Sequence, residues 1–252
     1  MQIDLRKLEE RILPLRRVVE LLDASLGEPT MYRTETSGGF RYENPDVRHF
    51  CLLKAVRSVS ALNAAICLAR EGYIQEIYVL IRTIAEFTTH IEFVLDPNET
   101  EKHKEEAKRY VASFFADTLR ERGAAIVKAQ IPQGFVHQSL GQTLDKMAEA
   151  RGELEGRTPA ATLYSGVYRT YSSYVHGKYP EIMDLYGGRP GRFHLDGMSG
   201  TPKDAEILEQ LDTFITTVSN TFVLLVNGLA ITALVQSDPV TALWYEKRFD
   251  NV

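Results

Sequence analysis

Apolar residues recur at steps of three and four along most of the chain, which is the spacing of amphipathic α-helices. Asn44 or Asp46 is a suitable N-cap for the second of these helices, and Gly72 is a suitable stop. The pattern predicts eight helices, over residues 2–26, 46–71, 73–95, from Asn98 or Thr100 to 123, 142–150, 159–176 and 202–236, and from Ser237 or Asp238 onward with Pro239 in the first turn.

Two segments interrupt this helical pattern. Residues 27–45 are rich in Gly, Pro, Thr and Ser and are typical of a long loop. Residues 182–198 hold two short β-like runs around a Gly-Gly-Arg-Pro-Gly turn, which predicts a small hairpin insert. There is no internal repeat and no βαβ alternation. The expected architecture is one all-α domain over residues 1–252, a bundle of seven to eight helices with a small β-hairpin insert.

Composition agrees with a soluble globular protein. Hydrophobic residues make up 44% and charged residues 25%, and the formal net charge of −5 argues against a uniformly basic surface. Cys51 and Cys67 lie about four turns apart on one predicted helix, too far for a disulfide, and are expected to be small core residues. The N-terminus shows no secretory signal, so the cytoplasm is the expected location.

The uncharged segment 214–236 is long enough to cross a bilayer. Seven Thr, Ser and Asn residues interrupt it, and no Lys/Arg cluster flanks it closely. We therefore expect a buried central helix and no membrane partner. A membrane-associated helical protein that uses this segment is a third, weaker hypothesis.

A first polar stripe runs along the apolar third helix. Arg82, Glu86 and His90 lie four residues apart, so they share one narrow face. A helix that is apolar on most sides is packed on most sides, and a lone buried charge is costly. The stripe is therefore expected to be paired in the interior or to line a cleft; a surface Arg82–Glu86 ion pair is the simpler alternative.

A second stripe lies on the helix predicted over residues 159–176, here called the motif helix. Arg169 and His176 are two turns apart on one face, Ser172 lies on the same side and Ser173 borders it. Tyrosines occupy the opposite side. Gly177 follows His176 directly, as a C-terminal stop would.

The spacing Arg169-x(6)-His176 resembles the R-x(4–6)-H motif of the HEPN superfamily of small all-α domains. The segments LIRTIAEF at 80–87 and YRTYSSYVHG at 168–177 also resemble an uncharacterised bacterial helical family related to it. The resemblance covers roughly residues 50–235, although only these two segments are specific. The chain departs from the pattern at Thr170, where active members carry Asn, Asp or His.

The resemblance implies a metal-independent endoribonuclease or toxin-type effector of prokaryotic defence, acting as a homodimer on RNA with no cofactor. Arg169 would bind the scissile phosphate and His176 would act as general acid/base. Arg82, Glu86, Ser172 and Ser173 would support them. An antitoxin or another defence-system protein is an expected partner.

Two arrangements remain open at this stage. In both, we expect the third helix to pack beside the motif helix, with Arg82 and Glu86 facing Arg169 or His176. In the first arrangement, two copies of His176 meet across a two-fold axis with Ser172 and Ser173 near it. In the second, the chain is a non-catalytic helical interaction or ligand-binding protein. His176 is then sealed inside a monomer, in a structural cluster with Arg82 and Glu86.

Overall fold

The computed structural model describes residues 4–33, 38–97, 100–115, 171–186 and 193–247, with a few isolated positions between 141 and 149. These residues form a mostly helical protein with one small antiparallel hairpin, which confirms the predicted fold class. The elements are α1 Leu5–Ala24, β1 Thr30–Arg33, β2 Gly38–Arg41, α2 Val47–Glu71, α3 Ile74–Val94, α4 Glu101–Phe114, α5 Tyr179–Met183, α6 Pro202–Gly228, α7 Thr232–Gln236 and α8 Pro239–Glu246. The described last turn of the motif helix is residues 171–175.

Four long helices surround the core. Helix α2 packs between α1 and α3, and α6 contacts all three. Helix α4 lies against α2 and α3, while α7 and α8 pack against α1. The largest fully buried side chains come from α1, α2, α3 and α6, including Leu15, Phe50, Ile81, Phe93 and Phe222. The apolar stripes that predicted the helices are thus the surfaces that join them.

Helix ends follow the predicted capping residues. The Asp46 carboxylate accepts hydrogen bonds from the backbone N–H groups of Arg48 and His49, and the backbone N–H of Asp46 donates to His49 Nδ1. Asp238 caps α8 in the same way, with Pro239 in the first turn. Each cap satisfies donors that a helix N-terminus would otherwise leave unpaired.

The prediction of one continuous helix over residues 202–236 is wrong. Helix α6 ends at Gly228, and α7 begins at Thr232. Ala230 between them has a φ of 53°, in the left-handed region. A Cβ added at Gly228 would lie 3.1 Å from Leu95 Cβ, so this glycine lets the end of α6 approach the end of α3 closely. The segment 214–236 still contributes buried residues, among them Val218, Phe222 and Val235.

The hairpin lies in a different segment from the predicted one. Residues 27–45, expected to be a loop, hold β1 and β2, with Met31 opposite Phe40 and Tyr32 opposite Gly39. Residues 182–198 were expected to hold the hairpin, but α5 ends there and Asp184–Tyr186 forms a 3₁₀ turn. The predicted turn at 187–191 lies outside the described residues.

Two glycines join the chain before α6 to the α2–α3 turn. Gly72 and Gly197 both have positive φ, at 77° and 89°, and Met198 N–H donates to Gly72 O at 2.8 Å. A Cβ at Gly197 would lie 2.1 Å from Glu71 O, and one at Gly72 would lie 2.3 Å from Ser199 N. Only glycine permits this backbone contact.

Within the described ranges, one helix is long and apolar enough to cross a membrane, and it is α2 rather than the predicted segment. Half of its most apolar stretch is buried inside the structure. The two cysteines on α2 differ from each other: Cys51 is buried, as expected, but Cys67 is exposed, so its assignment to the core was wrong.

Candidate functional site

Helix α3 carries an ion pair that is almost entirely withdrawn from solvent. Arg82 Nη1 lies 2.5 Å from Glu86 Oε2, and the two side chains keep only 10% and 14% of their exposure. The same helix buries Ile77, Ile81, Ile84 and Ile91. The stripe is therefore paired in the interior, as the apolar surroundings predicted, and is not a surface ion pair.

The described end of the motif helix packs against α3. The Tyr78 ring lies 4.3 Å from the Tyr174 ring and 5.9 Å from the Tyr171 ring, centroid to centroid. Arg82 Nε donates to Ser172 Oγ at 3.4 Å. The predicted contact between the two polar stripes is confirmed for these residues. Arg169 lies outside the described residues, so its distance from Arg82 and Glu86 stays a prediction.

This aromatic contact buries the phenol group of Tyr78 and partly buries those of Tyr171 and Tyr174. Burial is the first cause that raises the pKa of Tyr78, to about 12, and it also raises the pKa values of Tyr171 and Tyr174. Tyr174 Oη also donates to Asp184 Oδ2 at 3.2 Å. Tyr171 is thus a packing residue, as its helical spacing indicated. Val175 on the same side of the helix is 49% exposed, and Tyr164 and Tyr168 lie outside the described residues.

Ser173 does not face solvent, contrary to its expected position beside an open RNA site. Its side chain is buried and donates to Glu181 Oε1 at 2.6 Å. Gln75 on α3 also donates to the backbone oxygen of Glu181. Ser173 therefore ties the motif helix to α5 and is not available to a substrate.

His176 is exposed at the end of the motif helix. Its backbone N–H donates to Ser172 O at 3.0 Å, and Lys178 N–H donates to Ser173 O at 3.1 Å. Gly177 between them has a φ of 55°, which closes the turn. No hydrogen bond or ion pair joins His176 to Glu86 in the described part of the chain. The alternative with His176 sealed inside a monomer is wrong.

His90, the third member of the α3 stripe, belongs to a different environment. It is buried, and its ring meets the Tyr110 ring of α4 edge to face with centroids 5.2 Å apart. The three residues of the stripe therefore have different neighbours. Arg82, which is paired with Glu86, contacts the motif helix, whereas His90 packs against α4.

A buried lysine beside this cluster was missed at the sequence level. Lys54 on α2 is 8% exposed, and its Nζ lies 4.6 Å from the Phe114 ring, 5.1 Å from the Phe87 ring and 5.4 Å from the Phe50 ring. Burial lowers the pKa of its ammonium, and the nearby Glu86 carboxylate partly opposes that shift. Its place in the run FCLLKAV, a single cation among apolar residues, was the available signal.

Two further groups flank His176. Lys178 is exposed, and Tyr179 keeps 77% of its exposure although it is aromatic. Pro180 follows Tyr179 in the first turn of α5 and restricts the backbone there. The exposed surface around His176 thus offers an imidazole, an ammonium and an aromatic ring on a short, hydrogen-bonded turn.

Among the described residues, no group of three or more His, Cys, Asp or Glu side chains is placed to hold a metal ion. Comparison of the chain with protein-family models, curated proteins and solved structures finds no match. The HEPN resemblance therefore depends on the two sequence segments alone.

Proposed function

We propose that the protein is a HEPN-like, metal-independent endoribonuclease or toxin-type effector that works as a homodimer. The observation that carries the proposal is that His176 is exposed to solvent, while the helical turn before it is anchored to the rest of the protein. Ser172 and Ser173, on the turn before it, bond to Arg82 and Glu181, so the imidazole is held on a supported backbone while it faces solvent.

The chemistry suits RNA without a metal. Cleavage through the 2′-hydroxyl needs a group that exchanges a proton near neutral pH and a cation for the charge that develops on phosphorus. His176 would supply the first, and Arg169 the second. One imidazole cannot serve at once as acid and base, so two copies of His176 would meet in one dimer cleft.

Two side chains near His176 in sequence, Lys178 and Tyr179, are suited to binding single-stranded RNA. The exposed ring of Tyr179 would stack on a base next to the scissile phosphate, and the Lys178 ammonium would contact the backbone. Because the chain has a net charge of −5, positive charge must be concentrated locally to hold RNA. In this proposal the protein acts in the cytoplasm, and an antitoxin or another defence-system partner would restrain it.

The direct test is cleavage of a defined single-stranded RNA by purified protein in the presence of a chelator. We expect wild type to leave 2′,3′-cyclic phosphate ends and His176→Ala to leave the RNA intact. An RNA with 2′-deoxy sugars should resist wild type. Lys102→Ala is the matched control, because Lys102 is an exposed surface residue on α4.

Cleavage that needs a divalent metal, or that persists in His176→Ala, contradicts the proposal. Circular dichroism of each variant separates a lost catalytic group from a lost fold. Growth of cells expressing wild type or His176→Ala gives the corresponding result in vivo.

A second candidate is supported by the internal pairing of the polar cluster. Arg82 with Glu86 and Ser173 with Glu181 satisfy one another inside the protein, as structural networks do. A non-catalytic interaction or ligand-binding protein would need no more than this. Equal growth and intact RNA with both wild type and His176→Ala would favour it.

A further inference from the structure

A cleft lies along one face of α4, and its lining residues are different from those of the His176 surface. It has a volume of about 440 Å³ and opens between the start of α2, the end of α3 and α4. That volume is within the range of small-molecule sites, roughly 300–1,000 Å³.

The wall of this cleft is apolar. Val47 comes from α2, Val94 from α3, and Ala107, Val111, Ala112 and Phe115 from α4 and its C-cap. The α4 residues follow the three- and four-residue spacing of a single helix face. Alanines at 107 and 112 leave space where larger side chains would close the surface, so the cleft follows from the sequence of α4.

Positive charge marks one part of the cleft. Lys104 and Lys108, one turn apart on α4, line it, and none of its described lining residues is acidic. Lys104 Nζ lies 2.8 Å from Glu101 and Lys108 Nζ lies 2.9 Å from Glu105, but both carboxylates are largely exposed. Such exposed pairs are weak, so a ligand anion can compete for the two ammonium groups.

We propose that this cleft binds a small anionic amphiphile, a medium-chain carboxylate whose alkyl tail lies along Val111 and Ala112 and whose head group meets Lys104 and Lys108. The tail would remove apolar wall from water, which is the main source of affinity. The lysines would orient the ligand and select an anion over a neutral or cationic head group. The inference is independent of RNA cleavage.

The positive charges of Lys104 and Lys108 favour an anionic ligand over a neutral or cationic one. A neutral lipid would make no use of the lysines, and a cationic one would be repelled by them. A decyl tail serves as the probe. An acidic amphipathic segment of another protein would use the same groups, and failure of decanoate to bind would favour it.

Calorimetric titration of the full chain with decanoate, below its micelle concentration, tests the proposal. Decanol and decyltrimethylammonium serve as probes with the same tail and a different head. We expect decanoate to bind at one site and more tightly than decanol, and decyltrimethylammonium to bind more weakly than either. Higher salt should weaken decanoate binding and leave decanol unchanged, because only the charged head is screened.

Three variants locate the site. Ala112→Phe fills the cleft and should abolish binding of decanoate and decanol alike. The double variant Lys104→Ala/Lys108→Ala should weaken decanoate by roughly five- to tenfold, as expected for two solvent-exposed charge contacts, and spare decanol. Lys102→Ala is the matched control: its side chain is 86% exposed on the same helix and does not line the cleft.

The outcomes are separable. Unchanged decanoate binding in a folded Ala112→Phe protein, or equal binding of all three probes to wild type, overturns the proposal. Absence of decanoate binding to wild type also overturns it. His176→Ala should bind decanoate as wild type does, so failure of the nuclease proposal and failure of this one are distinguishable.

Discussion

At the scale of single residues, the buried charge of Lys54 is the least expected feature. Its ammonium makes neither a hydrogen bond nor an ion pair in the described part of the chain, and three phenylalanine rings surround it. Cation–π attraction offsets part of the desolvation. Because burial is the first cause of the lowered pKa of Lys54, desolvation outweighs the opposing attraction of the Glu86 carboxylate.

Lys54→Met should therefore stabilise the protein, since methionine fills the same space without a charge. We expect the free energy of unfolding at neutral pH to rise by roughly 1 kcal/mol, the low end of the gain when a buried charged group is replaced by an apolar side chain of similar size. The measurement is urea unfolding of both proteins. A less stable Lys54→Met at neutral pH would show that the cation–π contacts dominate.

The pH dependence of that difference supplies a second check. The pKa of Lys54 is lowered in the folded state, so the folded chain disfavours the charged form. The stability penalty is full below the folded pKa and disappears as pH rises toward the unfolded value of about 10.5. The stability gap between Lys54→Met and wild type should narrow over that window. A constant gap would assign the effect to packing alone.

Tyr179 provides a residue-scale test of the proposed substrate. Its ring is exposed beside His176, and stacking with a base contributes roughly 1–3 kcal/mol. Tyr179→Ala, measured in the His176→Ala background to prevent cleavage, should weaken binding of single-stranded RNA by at least fivefold. Tyr179→Phe keeps the ring and should bind as the parent does. If the parent and both Tyr179 variants bind single-stranded RNA equally, Tyr179 does not contact the RNA.

At the scale of elements, the contact between the α2–α3 turn and the segment before α6 depends on Gly197. Gly197→Ala places a Cβ against Glu71 O in a left-handed conformation, so we expect a loss of about 2–4 kcal/mol in the free energy of unfolding. Gly200→Ala is the matched control, because Gly200 also has a positive φ but nothing lies within 4 Å of an added Cβ. It should lose only about 1 kcal/mol. Equal losses in urea unfolding would contradict the steric account.

The interface between α3 and the motif helix should be sensitive to alkali. The raised pKa values of Tyr78, Tyr171 and Tyr174 mean that the folded state favours neutral phenols. This stability is complete below the unfolded value of about 10 and is lost as pH rises through the folded values. Phenolate absorbance should show late-titrating tyrosines whose ionisation coincides with loss of helical circular dichroism. Titration of all tyrosines near pH 10 in the folded protein would refute this.

At the scale of the whole molecule, the proposed activity requires two chains. If both copies of His176 serve one cleft, excess His176→Ala subunits should trap wild type in inactive pairs. A tenfold excess of variant should lower the cleavage rate per wild-type subunit by about tenfold, provided the subunits exchange freely. The same excess of an unrelated protein is the control. An unchanged rate would mean that each subunit acts alone.

Prediction from sequence succeeded where the determinants are local. The spacing of apolar residues and the caps at Asp46, Gly72 and Asp238 lie within one or two turns of the structure they specify. It failed where distant contacts decide. The hairpin in 30–41 depends on strand pairing, and the end of α6 depends on the close approach of Leu95 to Gly228.

For the candidate site too, local features could be predicted from the sequence and long-range contacts could not. The sequence by itself determined that Arg82 and Glu86 share a face of an apolar helix and that Ser172 and His176 share a face of another, because helical geometry sets which residues align. Only the tertiary structure decided that Arg82 contacts Ser172, that Ser173 turns inward to Glu181 and that His176 stays in solvent. Tertiary packing selects which aligned groups meet, because a polar group that packing buries is costly unless its own helix or a neighbouring element supplies a hydrogen-bond partner.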